Sequence, residues 1–241
     1  MDDETLMMRA VMKMSTYVVE NTEIIVNPCT LLHISPSSGI KEFEPRKPKR
    51  SMDKEDLTVA RVCTSPTLLD AIRGYAVTIK DAMRGKAHCA GDDDFKGGYY
   101  IYAFPKVTHL KPNEKLAPIS KWCDERWLIN FRQANQKYPA KIVGKMFFPR
   151  VEVDKEGWFG EVEIYIQLED LPNGELLEFS DKILLGKGCH AVVVKNLGAY
   201  LLKGDLLEVL SHKVIPLGQY YKAKNVKAEL LSFNVPAYLD W

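Results

Sequence analysis

Glu161-Val162-Glu163-Ile164-Tyr165-Ile166-Gln167-Leu168 alternates polar and apolar residues, so that an extended backbone puts Val162, Ile164, Ile166 and Leu168 on one face. A helix would scatter those side chains around its circumference. The same period of two governs the chain from Lys141 onward, with candidate strands at Ile142–Phe148, Glu161–Leu168, Leu176–Phe179, His190–Val194 and Leu206–Ile215. Pro172-Asn173-Gly174 and Gly186-Lys187-Gly188 punctuate them as turns. The second half therefore reads as mostly β.

Ahead of Lys141 the pattern mixes. Acidic residues in the opening turn and apolar residues at helical spacing (Leu6, Ala10, Tyr17; Met7, Val11, Met14, Val18) predict a helix over residues 3–20. Short apolar runs follow at Glu23–Val26 and Thr30–Ile34, parted by Asn27-Pro28. Ser35–Asp56 is polar and proline-bearing and reads as a long loop, while Val59–Thr64 reads as a strand. Ser65-Pro66 then offers a hydroxyl cap and a first-turn proline for a helix reaching about Arg84. Tyr99–Phe104 reads as an aromatic strand, and residues 120–136 as a helix with Ser120 as its cap. The expected fold class is α+β. Residues 1–140 form a helix-containing mixed half that carries His33 and the basic loop, packed on a β-rich half of residues 141–241, and one continuous domain satisfies the same pattern.

Composition bounds the function classes. With 46% hydrophobic and 27% charged residues in 241, the chain belongs among ordinary folded proteins. Lys and Arg number 33 against 32 Asp and Glu, so no whole-molecule field draws it to nucleic acid or to an anionic membrane. Cys29, Cys63, Cys89, Cys123 and Cys189 are odd in number and dispersed, which fits reduced thiols and a cytoplasmic location. Asp2, Asp3 and Glu4 give the wrong charge order for a secretory signal, and no apolar run is long enough to span a membrane.

The familiar chemical motifs are missing or incomplete. His88-Cys89 and Cys189-His190 lack zinc-ligand spacing, and Asp92-Asp93-Asp94 lacks the alternation of a calcium loop, so no metal is expected. Gly186-Lys187-Gly188 is too short to cradle a phosphate. The basic stretch Lys41–Arg50 reads first as a solvated loop. As a functional loop it would use Arg46 and Arg50 to grip a dinucleotide pyrophosphate or a nucleic-acid backbone. Tyr99, Tyr100, Tyr102 and Phe104 would serve the second use by stacking bases, although core packing explains them too.

The order of local patterns is more telling. Leu31-Leu32-His33-Ile34-Ser35-Pro36 ends a strand at a histidine; Val62-Cys63-Thr64-Ser65-Pro66 runs a strand into a helix; Leu206-Leu207-Glu208-Val209-Leu210 sets an acid in a late apolar run. This order resembles the ADP-ribosyltransferase-like superfamily. It also resembles phage and bacterial proteins of unknown function that pair a histidine strand with a Pro-Arg loop, here Pro45-Arg46. The superfamily resemblance implies NAD or a related nucleotide as ligand, with His33 at the ribose and Glu208 completing the catalytic pair. Ser35 and Ser65 would line the nucleotide, and Arg46 or Arg61 would meet the pyrophosphate. Thr64-Ser65 stands where the superfamily often has tyrosine, and Leu206 stands where its arginine-modifying members have a second acid. Two further readings accompany it: a non-enzymatic, phage-encoded interaction protein acting on a host protein, and a nucleic-acid binder.

Overall fold

Strands that lie within the core are buried at nearly every residue, on both faces, as the patterns of Leu31–Ser35, Tyr99–Phe104 and Arg126–Ile129 show. The structure, a computed structural model, describes residue 5 and residues 14–26, 29–48, 54–75, 99–131, 135–147, 163–168, 170–171, 175–180, 183–186, 190–194, 198–203 and 227–231. The fold is α+β. Among these residues the strands are β1 (Thr22–Ile25), β2 (Leu31–Ser35), β3 (Glu42–Phe43), β4 (Arg61–Thr64), β5 (Tyr99–Phe104), β6 (His109–Pro112), β7 (Arg126–Ile129) and β8 (Tyr138–Pro139). They continue with β9 (Lys141–Phe147), β10 (Glu163–Leu168), β11 (Leu176–Ser180), β12 (Ile183–Gly186), β13 (His190–Val194), β14 (Gly198–Lys203) and β15 (Lys227–Leu231).

Among the described residues the strands form two larger sheets, one of seven strands in the order β15-β14-β13-β10-β9-β5-β2 and one of four in the order β1-β6-β7-β4, and two strand pairs, β11-β12 and β3-β8. Every pairing is antiparallel, as short connections allow. The larger sheet takes strands from both sides of residue 140, because β9 pairs with β5 on one edge and β10 on the other. The sheets meet where Leu32 of β2 exchanges main-chain hydrogen bonds with Ser65, just past β4, at 2.8 and 2.9 Å. Around that seam lies the core, with Leu31, Tyr102, Phe104, Leu110, Trp127 and Leu128 buried together.

Helices are short. Ser15 is extended (φ −63°, ψ 149°), and its hydroxyl accepts from the Val18 amide to cap α1, Thr16–Glu20. The expected single helix over 3–20 is therefore broken at Ser15, while residues 1–4 and 6–13 lie outside the described residues. Thr67, not Ser65, caps α2 (Leu68–Gly74): its hydroxyl accepts from the Asp70 amide at 3.0 Å and donates to the Asp70 carboxylate at 2.7 Å. Ser65 is unavailable for capping because its amide and carbonyl serve the Leu32 pairing. α2 buries Leu68, Leu69, Ala71 and Ile72 and packs against β2 and β11. The expected extension to Arg84 falls outside the described residues.

The expected helix over 120–136 is overturned. Pro118–Lys121 forms a 3₁₀ turn and Arg126–Ile129 is strand β7, with Ser120 inside the turn. The reason is legible afterwards: Trp127, Ile129 and Phe131 are spaced by two, and all three are buried, whereas Trp122 is exposed. Among the described residues no helix is long and apolar enough to cross a membrane.

Candidate functional site

β2 is covered on both faces except at His33: Leu31, Leu32, Ile34 and Ser35 are buried, and the histidine alone is half-exposed. Two neighbours fix its ring. The Cys63 carbonyl, on β4, lies 2.8 Å from Nδ1. Phe43 of β3 meets the imidazole edge-on, with ring centroids 4.9 Å apart, and makes similar contacts with Tyr102 at 5.0 Å and Phe104 at 5.3 Å. Tyr102, which faces His33 across the β2–β5 ladder, donates its phenol proton to the Ser37 carbonyl at 2.7 Å and accepts from the Ile40 amide at 3.2 Å. The turn that leaves β2 is thereby tied to the sheet beside the histidine.

The tautomer follows from this geometry. A carbonyl oxygen has no proton to give, so Nδ1 carries the hydrogen and donates it to Cys63. Burial lowers the His33 pKa from its ordinary value, and the Cys63 carbonyl offsets part of that shift. The ring at neutral pH is thus an uncharged imidazole with its lone pair on Nε2.

The other expected residues sort by where their side chains go. Ser35 is buried, and its hydroxyl accepts from the Ser37 amide at 3.2 Å, which starts the turn after β2. Ser65 is buried at the seam, opposite Leu32. Arg46 pairs through its main chain with Arg61, at 2.9 and 3.2 Å, and is exposed. Arg61 instead faces inward. Its guanidinium pairs with Glu55, donates to the Asp56 carbonyl at 2.7 Å and the Val59 carbonyl at 3.2 Å, and lies 4.2 Å from the centre of the Trp127 ring. That commitment holds the 55–61 segment in place rather than offering a phosphate clamp. Glu208 and Arg50 lie outside the described residues, as do Asp92–Asp94, Cys89 and Cys189.

β4 is where these parts converge. Its first residue, Arg61, is bridged by Arg46 of the Pro45-Arg46 loop, and Ser65, just past its last residue, by Leu32, the neighbour of His33. The two bridges are four residues apart on one strand, or ~13 Å by strand rise.

Behind β4 lies a buried carboxylate that the sequence reading passed over. Glu125 accepts from the Trp127 indole N–H at 2.7 Å, and Cys63 and Arg61 also stand beside it. Burial raises its pKa above the usual carboxylate value, against the Trp127 and Cys63 hydrogen bonds and the Arg61 charge, which pull it down. Read as part of a helix, Glu125 had no reason to point inward. Glu125, just before β7, and Trp127 within it are two residues apart and both buried, the spacing at which extended backbone puts side chains on one face.

The aromatic strand does not present a stacking surface. Tyr99, Tyr102 and Phe104 are buried, and the half-exposed Tyr100 does not make a row. Among the described residues no three His, Cys, Asp or Glu side chains converge as a metal site requires. No family model, curated protein or solved structure matches the chain.

Proposed function

We propose that the chain is an ADP-ribosyltransferase-like protein that binds NAD or a related nucleotide at the seam between β2 and β4. One observation supports the reading: the histidine strand and the Pro45-Arg46 loop both bond through their main chains to the Arg61–Ser65 segment. In this reading His33 meets a ribose hydroxyl, and Arg46, whose guanidinium is exposed, meets the pyrophosphate as a planar cation suited to phosphate oxygens. Ser35 and Ser65 shape the walls through their main-chain and turn contacts.

Turnover requires a carboxylate to stabilise the positive charge that develops on the ribose as the nicotinamide bond breaks, and Glu208 has that role in this proposal. A ligand that binds only the folded state raises the melting temperature. The test is a thermal-shift titration with NAD, ADP-ribose and ATP on the native protein and on His33→Ala. A dose-dependent rise with NAD or ADP-ribose that vanishes in His33→Ala is expected. No rise at millimolar ligand overturns the proposal. Glu208→Ala should keep the shift and lose NAD cleavage, and cleavage left intact would remove Glu208 from the role.

A further inference from the structure

We propose that the outer edge of β1 docks an extended basic segment of another protein, which adds to the four-stranded sheet as a further antiparallel strand. The site does not rest on the nucleotide reading, because β4, which carries that seam, is the opposite edge of the same sheet. Among the described residues β1 pairs with β6 alone. The phase of the pairing decides which main-chain groups are left over. The Asn113 amide donates to the Asn21 carbonyl at 3.0 Å, one step before the Thr22↔Pro112 position of the register. Bonded and unbonded pairs alternate in an antiparallel ladder, so Asn21, Glu23 and Ile25 turn their main chains toward β6 while Thr22 and Ile24 turn theirs outward. Pro112, which has no N–H to give, stands opposite Thr22, as this phase requires.

The corner is fixed before any partner arrives. The buried Asn21 donates from its side chain to the Tyr17 carbonyl at 2.8 Å and accepts from Asn113 Nδ2 at 2.8 Å, and the Thr22 hydroxyl donates to the Val18 carbonyl at 3.0 Å. Charge then names the occupant. Ile24 packs against the core, so Glu23, on the other face, looks into solvent beside Lys111. A cleft of about 380 Å³ opens there, and Glu20, Glu23, Glu114 and Asp124 contribute to its walls. Lys111 and Arg126 both reach Asp124, which leaves Glu20, Glu23 and Glu114 with no ion-pair partner among the described residues. An added strand meets Glu23 at an unbonded position, where facing Cα atoms are only about 4.5 Å apart, and its alternate residues fall over the cleft on the same face. Lysine or arginine at those positions answers the three carboxylates. A second copy of β1 would bring its own Glu20 and Glu23 to the edge, so like charges oppose self-pairing.

The experiment is fluorescence anisotropy of the native protein with a labelled peptide of about seven residues that alternates lysine with valine or threonine. Two companion peptides separate strand addition from bulk charge. One is N-methylated at the valine and threonine amides, which keeps the charge and removes the donors aimed at β1; the other has glutamate in place of lysine. The lysine peptide should bind and should slow hydrogen exchange at the Thr22 and Ile24 amides, while each companion binds at least about tenfold more weakly. Glu20→Gln/Glu23→Gln/Glu114→Gln changes three exposed positions, and should lower the affinity by about tenfold with the melting temperature unchanged. Absence of binding by the lysine peptide at low salt overturns the inference. Equal binding by the N-methylated peptide also overturns it, since the attraction is then one of charge alone, as does protection that falls elsewhere than on β1. A native protein that sediments as a dimer with Thr22 and Ile24 already protected gives the edge to a second copy instead.

Discussion

Arg61→Ala should destabilise the protein by about 3–5 kcal/mol, the range for breaking a buried ion pair by removing one partner. The structure places Arg61 at that scale for concrete reasons. Its side chain is 1% exposed and that of its partner Glu55 12%. The substitution takes the cation from Glu55, the donors from the Asp56 and Val59 carbonyls, and the planar group from the face of Trp127, the largest fully buried side chain of the core. Glu55, with its slight exposure, can turn toward water, which sets the expected value nearer the lower end. Against a total stability of about 5–15 kcal/mol the loss is a large share. At a urea m-value of about 3 kcal/mol/M, the unfolding midpoint should fall by about 1–1.7 M. A double variant, Arg61→Met with Glu55→Met, should recover more than half of the loss, because no uncompensated charge remains and the apolar volume is kept. A midpoint within about 0.3 M of the native protein at unchanged m, in Arg61→Ala alone, would refute the reasoning.

Gly74→Ala should stabilise α2 by about 0.5–1 kcal/mol, read by the same denaturation curve, because the added methyl meets only Cys123 Sγ at 3.7 Å, an ordinary contact. Tyr102→Phe should cost about 1–2 kcal/mol through the Ser37 and Ile40 bonds and should weaken NAD binding by loosening the turn beside His33; unaltered stability would contradict the assigned bonds. His33 and His109 both have folded-state pKa values below the ordinary 6.5 through burial. Their contribution to stability is therefore full above that value and lost as pH falls from it through the folded-state values, so the melting temperature should drop on acidification more than in a His33→Asn/His109→Asn double variant. Glu125 has the opposite sign: its raised pKa gives stability present at acid pH and lost as pH rises through the folded value, so Glu125→Gln should flatten that limb.

How far the sequence led depends on whether periodicity or long-range pairing decided an element. β2, β4 and β5 stand within a residue or two of where their apolar runs and bounding turns put them, because a strand buried on one or both faces announces itself locally. His190–Val194 matches to the residue. β6 and β14 were missed: His109–Pro112 is short and ends in proline, and Gly198–Lys203 begins with glycine, so neither shows a clean period. β7 was misread because Trp127-Leu128-Ile129 is a continuous apolar run, which periodicity alone assigns to a helix as readily as to a strand. Its neighbours β4 and β6 settle the matter by pairing on either side.

The candidate site was legible as ingredients and illegible as an arrangement. His33 could be placed near a strand end from its flanks, but nothing local says that its Nδ1 meets a carbonyl thirty residues on, which is what fixes the tautomer. Arg61 and Arg46 are alike in composition and opposite in fate: one is internal because Trp127 and Glu55 lie behind β4, the other external because only its main chain is used. β4 thus divides its work between atoms. Its main chain serves Arg46, His33 and Leu32 along the seam, while Arg61 and Cys63 serve Trp127 and Glu125 with their side chains. A change behind the strand reaches His33 only by moving the Cys63 carbonyl. Glu125 substitutions that leave stability intact should therefore leave nucleotide binding intact as well, whereas any substitution that shifts β4 against β2 should weaken binding and stability together.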